Sequence, residues 1–367
     1  MEVKYVDFSL QYNNEREEIL KTLDNVLSSG QYILGQEVEA FEKNFSKLCG
    51  TKYAIGVADG TDALILSMKA LGIGPGDEVI TTPNSWISSA SSIALVGAKP
   101  VFADVRKDQN IAPEAIEKVI TKRTKAIIPV HLTGKCADMD PILDIANKHG
   151  IHVIEDAAQS AGASYKSKPS GSMGICGCFS LHPLKNLSTP GDAGIITTNN
   201  DELEKKLLLL RNHGLKSRNE VLFWGYNSRL DTLHAAILNT RLPKLKQLNK
   251  QRRTFADIYR SKLSDLVYCP KDNKGCYDIY HLFVIQTPKR DRLKNFLTDN
   301  NIQTGIHYPI PIHLQPCAKD LGYKKGDFPN VEKQSEQILS LPIHNGLDEK
   351  TINYVADKIV EFFNKNN

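Results

Sequence analysis

The sequence predicts an α/β protein: a large domain on a mostly parallel sheet, then a smaller α+β C-terminal domain. Three observations carry this. Short apolar runs alternate with helix-period patterns from Tyr53 to Thr198, the pattern changes after Thr198, and 367 residues exceed one average domain. The strands read as Tyr53–Val57, Glu78–Thr82, Pro100–Asp104, Ala126–Val130, His152–Glu155, Gly177–Leu181 and Gly194–Thr198. Between them, Thr61–Leu71 places Leu64, Met68 and Leu71 on one helical face, and Gly72 stops it. Asp140-Pro141 reads as a cap and first-turn proline opening a helix that His149-Gly150 closes. Helices follow at Leu203–Arg211 and Thr232–Arg241, with a longer one at Pro243–Leu263. The smaller domain shows a strand at Tyr280–Gln286 and helices at Arg290–Asn300 and Thr351–Asn364. The division falls at residues 1–245 and 246–367, a hinge through a helix.

Composition excludes several classes. Lys+Arg 46 against Asp+Glu 42 leaves +4, with the two signs interspersed, so no nucleic-acid partner is expected. No apolar run has bilayer-spanning length, and the charged N-terminus does not read as a signal peptide, so no membrane partner is expected. Seven cysteines, odd in number and irregularly spaced, suit a reducing cytoplasm. Cys176-Gly177-Cys178 alternates like a strand with both thiols on one face, and no metal site is expected. No G-x-G-x-x-G follows the first strand, which argues against a plain dinucleotide-binding fold.

In a parallel sheet, ligands bind beyond the carboxyl ends of strands. Asp156 and Lys185 both fall at such ends. A lysine that forms a Schiff base and an aspartate that keeps a pyridinium nitrogen protonated are the pair a pyridoxal phosphate (PLP) enzyme needs. Ala58-Asp59-Gly60-Thr61, between a strand and a helix, reads as a phosphate-binding turn or as an ordinary cap. Ser180 adds a hydroxyl on the strand leading to Lys185. Trp86, just past a strand, is a ring-stacking residue or a core tryptophan. Gly225–Asp231 is a solvated turn or an anion contact. His307, Tyr308 and His313 share a proline-rich loop without the partners of a metal site; they read as substrate contacts or packing.

Together these segments resemble the DegT/DnrJ/StrS family of PLP-dependent nucleotide-sugar aminotransferases. The likeness runs from Ser29-Gly30-Gln31-Tyr32-Ile33-Leu34-Gly35 through Gly60-Thr61-Asp62-Ala63-Leu64, Glu155-Asp156-Ala157-Ala158-Gln159, the Lys185 segment and Gly225-Tyr226-Asn227-Ser228-Arg229 to Tyr308–Gln315. It implies an aspartate-aminotransferase-like fold (PLP fold type I), with Lys185 as the Schiff-base lysine and Asp156 at the ring nitrogen. It further implies Gln159 at the ring hydroxyl oxygen, Gly60, Thr61 and Ser180 around the phosphate, and Trp86 stacked on the ring. Asn227 is implied to reach the phosphate of a neighbouring subunit in a homodimer with shared active sites.

The implied activity is transamination from L-glutamate, through pyridoxamine phosphate, to a nucleotide-linked keto sugar. A dTDP-3-keto-6-deoxyhexose is favoured over a 4-keto sugar on dTDP or UDP. The product would be an amino sugar for surface glycans such as lipopolysaccharide or O-antigen. A non-catalytic regulatory or binding protein on the same fold is the remote alternative. Two departures stand out. Gly191-Asp192-Ala193-Gly194 replaces the more usual Gly-Glu-Gly-Gly or Gly-Asp-Gly-Gly, and the methyl of Ala193 is expected to alter that loop. His182 has no assigned role. Lys185 itself argues against the dehydratase branch, which carries histidine there.

Overall fold

The computed structural model describes residues 1–365. Two helices, α1 (Phe8–Ser29) and α2 (Gln36–Cys49), precede the sheet. Then come β1 (Tyr53–Val57), α3 (Gly60–Ala70), β2 (Glu78–Thr81), α4 (Ser88–Leu95), β3 (Lys99–Phe102), a single turn α5 (Pro113–Ile116), β4 (Thr124–Ile128), α6 (Met139–His149) and β5 (His152–Asp156). A small hairpin, β6 (Ser164–Tyr165) and β7 (Lys168–Pro169), leads to β8 (Cys176–Ser180) and β9 (Gly194–Thr198). After α7 (Asp201–Leu210), the ribbon β10 (Leu215–Ser217) and β11 (Glu220–Val221) precedes α8 (Thr232–Arg241) and α9 (Leu245–Leu263). The chain ends with β12 (Phe283–Gln286), α10 (Arg290–Asp299), α11 (Pro329–Gln337), β13 (Ile338–Leu341) and α12 (Glu349–Lys365).

The seven-stranded sheet has the order β1-β9-β8-β5-β4-β2-β3. β9 alone runs antiparallel to its neighbours; the rest are parallel. Period-2 alternation divides the side chains between two cores. Ile55, Ile128, Ile154, Cys176, Cys178 and Ile196 pack against Leu64 and Met68 of α3 and Leu207 of α7. Residues one step along point the other way: Phe179 and Ile195 meet Phe41 and Phe45 of α2, and Ile127 and Val153 meet Ile142 of α6. Helices therefore cover both faces, and the two thiols of Cys176 and Cys178 do share one.

The smaller lobe pairs β12 antiparallel to β13 and packs them on α9, α10 and α12 around Phe255, Tyr259, Phe283, Leu339 and Val355. α9 joins the two cores: Leu245 packs in the first lobe and Phe255 in the second. The N-terminus crosses over as well, since Val3 bridges Ile302 and is buried in the second core. Among the described residues, no helix is long and apolar enough to cross a membrane, and no cluster of three metal-ligating groups occurs.

Two local expectations change. The helix expected to open on Asp140-Pro141 starts at Met139, with Pro141 in its third position; Asp140 instead pairs with Lys166 at 2.6 Å. Proline is tolerated there because a first-turn N–H has no intrahelical partner. The strand expected from Tyr280 begins at Phe283, because Tyr280 adopts a left-handed φ of 47° and breaks the ladder. The methyl of Ala193 is buried in the core, and its carbonyl accepts from Leu181 N–H at 2.8 Å.

Candidate active site

β5 and β8 are adjacent and parallel, with Asp156 opposite Cys178. Asp156 is the last residue of β5 and is buried. Its Oδ2 accepts from Ser89 Oγ at 2.6 Å, and Oδ1 accepts from Ala158 N–H at 3.2 Å. Burial pushes its carboxyl above the ordinary range, against the pull of these bonds and of Lys185. Lys185 lies five residues beyond β8, in a turn closed by its own N–H to the His182 carbonyl at 2.8 Å. His182 thereby acquires a role: its Nδ1 also accepts from Leu184 N–H at 3.2 Å, so it shapes the lysine turn. Lys185 is half-buried, and desolvation pulls its amine down to about 8, with Asp156 opposing. An amine near 8 keeps a neutral, nucleophilic fraction close to physiological pH that an ordinary lysine lacks.

Gln159 is buried, and its Oε1 accepts from Thr133 N–H at 2.7 Å. That bond orients the amide and leaves its NH2 as donor, and the amide pulls the Tyr308 phenol down against the effect of burial. Tyr308 lies 6.0 Å from Trp86, centroid to centroid. Trp86 is 60% exposed, so it is not a core residue. His307 lines a cavity of about 270 Å3 together with Lys185, and its Nδ1 lies 2.7 Å from Ser340 Oγ. Burial, then Lys185, draws its imidazole down to about 4, so it is neutral at pH 7.

At the start of α3, Asp59 Oδ1 accepts from the N–H groups of Thr61 (2.7 Å) and Asp62 (3.0 Å). The cap reading of this turn is therefore real, and two of the helix donors are already satisfied. The hydroxyls remain: Thr61 Oγ1 is 2.8 Å from Ser88 Oγ, and Ser180 lies directly below Gly60. A Cβ on Gly60 would stand 2.7 Å from the Ser180 Cβ, so only glycine lets the helix start sit this close to β8. Gly60→Ala is expected to push the two apart and weaken PLP binding about tenfold, on the scale of one charged hydrogen bond. A fluorescence titration of apoenzyme with PLP measures this.

Asn227 is exposed, on a segment whose neighbour Ser228 is 3.2 Å from Ala58 N–H. His313 is not brought to this group. It is buried against Phe328, with Nε2 3.1 Å from Glu332, and it does not line the cavity.

Three residues that the sequence reading passed over support the site. Ser88 and Ser89 come from a serine-rich run after Trp86, a signal that could have been read. Glu155 is fully buried and accepts from the N–H groups of Gly171, Met173 and Gly174 at 2.6–2.7 Å, with His131 Nε2 at 2.9 Å. It ties the end of β5 to the loop before β8.

An amine poised near 8, a buried carboxylate one strand away, an oriented amide donor and a hydroxyl-lined glycine turn fit PLP: aldehyde, ring nitrogen, ring oxygen and phosphate each find a group of the right chemistry. The lysine must be neutral to attack. PLP capture by apoenzyme is therefore expected to accelerate about tenfold per pH unit below about 8 and to level off above it. Stopped-flow absorbance across pH measures this; a flat profile would contradict it.

Residues 13–360 match the DegT/DnrJ/EryC1/StrS aminotransferase family. The chain is 44% identical to the "Pleiotropic regulatory protein" of Geobacillus stearothermophilus, covering 99% of each. It is 39% identical to the dTDP-3-amino-3,4,6-trideoxy-alpha-D-glucose transaminase of Streptomyces venezuelae, covering 98% of this chain and 96% of that one. The crystal structure of S. venezuelae DesV superposes with a TM-score of 0.96 at 39% identity over 98% of both chains. The fold, the paired Lys185 and Asp156, and the match along nearly the whole length converge: this chain is a PLP-dependent enzyme of the DegT/DnrJ/EryC1/StrS aminotransferase family.

Proposed function

We propose that the protein transfers the amino group of L-glutamate to a nucleotide-linked keto-deoxy sugar, favouring a dTDP-3-keto-6-deoxyhexose, to make an amino sugar for surface glycans. The single observation that carries the transaminase chemistry is Lys185 and Asp156 at the ends of adjacent parallel strands. The 3-keto preference is supported by the Gly225–Asp231 segment, by Pro190-Gly191-Asp192-Ala193 in place of Thr-Gly-Glu-Gly, and by the S. venezuelae relative's name.

Bound PLP supplies an electron sink for the carbon next to the reacting nitrogen. Lys185 would hold PLP covalently through Nζ, and the same Nζ, when released, would serve as the base and acid for a proton at the donor α-carbon. Asp156 would keep the ring nitrogen protonated, Gln159 would donate to the ring oxygen, and Trp86 and Tyr308 would cover the ring and exclude water. Thr61, Ser180 and the Gly60 turn would hold the phosphate.

The reading includes a homodimer. Val221, Leu222 and Phe223 are exposed, and Trp224 is 97% exposed, just before Asn227. A second copy covering this patch would bring Asn227 to the partner's phosphate. A cytoplasmic location is supported by seven free cysteines without a disulfide. A hinge near residues 245–246 is supported by α9 spanning both cores.

The relative named a regulatory protein keeps a second reading in view, a PLP-fold protein that binds without turnover. One experiment separates them. The visible band of the holoenzyme is expected to bleach with L-glutamate and return with a dTDP-3-keto-6-deoxyhexose. Recovery with the 4-keto isomer alone would overturn the sugar preference. No bleaching by glutamate would favour the binding protein.

A further inference from the structure

The cavity beside Lys185 holds a second cation. Arg252, from α9, lines it and is only 7% exposed. Its Nε donates to Asn345 Oδ1 at 2.9 Å, and Nη1 donates to the carbonyls of Tyr280 and His281, both at 3.2 Å. All three acceptors are neutral. Among the described residues no carboxylate pairs with Arg252, and its Nη2 makes no hydrogen bond. Two carboxylates share the cavity wall, but both are engaged: Asp7 with Lys4 at 2.9 Å and Glu15 with Arg241 at 2.6 Å. Buried charges are ordinarily paired, because desolvation is costly. Burial draws Arg252 down to about 10, which leaves it charged at neutral pH.

His281 adds a second recognition element. Asn249 Nδ2 donates to the Ala161 carbonyl at 3.1 Å, so its Oδ1 accepts from Asn186 Nδ2 at 2.8 Å. Asn186 Oδ1 is thereby fixed as an acceptor, and His281 Nδ1, 3.2 Å away, must donate to it. His281 is held neutral by burial, so its Nε2 is an acceptor. A cavity of about 270 Å3 is small for a nucleotide sugar but suits an amino acid. A guanidinium with one free nitrogen, an acceptor imidazole and the Lys185 amine match the carboxylate and ammonium of such a molecule.

We propose that Arg252 anchors the carboxylate of the α-amino acid donor in this cavity, with His281 Nε2 accepting from its ammonium group. This rests on the reading of Lys185 as the reacting amine.

The test uses full-length holoenzyme, with L-glutamate as donor and glutarate, which has no amine to react, as a binding probe. Arg252→Gln is expected to raise the KM for L-glutamate roughly 10- to 100-fold, the range for losing a charged hydrogen bond. The glutarate Kd, read from the visible band, should weaken by the same factor, and the KM for the keto sugar should hold. A rise confined to the sugar KM would assign Arg252 to the nucleotide diphosphate and overturn the proposal; so would no change in either. If Arg252→Gln does not fold, Arg252→Lys is judged by the same readouts. The wild type decides independently of both: glutarate competing with L-glutamate supports the proposal, and glutarate competing only with the nucleotide sugar refutes it. Failure of wild-type holoenzyme to bleach with L-glutamate would instead break the transaminase reading, before any Arg252 variant is made.

Discussion

Lys185→Ala is expected to abolish turnover, with kcat falling by roughly 10⁴-fold or more, while the protein still folds and binds PLP. Two functions are lost together. The covalent attachment goes, and so does the base that moves the proton, a loss that alone accounts for about 10²–10⁴-fold. Folding should survive, because removing a half-buried amine whose charged form is disfavoured by burial relieves a desolvation cost. The groups around the ring and phosphate are unaltered. Single-turnover kinetics and the absorbance of reconstituted protein measure the two halves. Turnover at wild-type rate would sink the assignment of Lys185.

Asp156→Asn is expected to reduce kcat by about 10³-fold with the fold intact. Asparagine matches the shape and can keep the Ala158 contact, but it carries no negative charge to hold a proton on the ring nitrogen. Preorganised charge of this kind is worth about 10²–10³-fold per group in other enzymes. The carboxylate is buried, its charged form is disfavoured by burial, and the Ser89 hydroxyl that donates to it can rotate. Thermal stability should therefore hold or rise slightly. A melting curve beside the kcat measurement separates the outcomes: lost activity with lost fold would mean Asp156 is structural, and retained activity would remove it from the ring nitrogen.

The strands were legible from short apolar centres buried on both faces, Val79-Ile80 in β2 and Cys178-Phe179 in β8. α1 was not, because it buries only Ile19 and Val26 across Phe8–Ser29, too few to impose a helical period. α2 was passed over although Val38, Phe41 and Phe45 do lie on one face. β13 escaped because four residues, three of them apolar, directly after a helix do not announce a strand until their partner β12 is in place. Within the site, Lys185 and Asp156 were proposed from their positions after apolar runs, and Gln159 from the family resemblance. The serine-rich run after Trp86 is legible, but the meeting of Ser89 with Asp156 is not, since its hydroxyl finds Asp156 across 67 residues of chain. His313 was misleading for the complementary reason: its loop position suggested substrate contact, while its ring is enclosed by Glu332 and Phe328.

By itself the sequence determined the succession of strands in the large domain, the chemical groups at strand ends, and thus the class of cofactor. These follow from side-chain type and local periodicity, which are properties of neighbouring residues. Only the tertiary structure decided how the groups are tuned. Burial moves Lys185 toward neutrality and lifts Asp156 against its hydrogen bonds. The glycine turn of α3 is set against Ser180, and Arg252 is enclosed without a counterion. Desolvation and long-range contact depend on what surrounds a side chain in space, and the chain must fold before that surrounding exists.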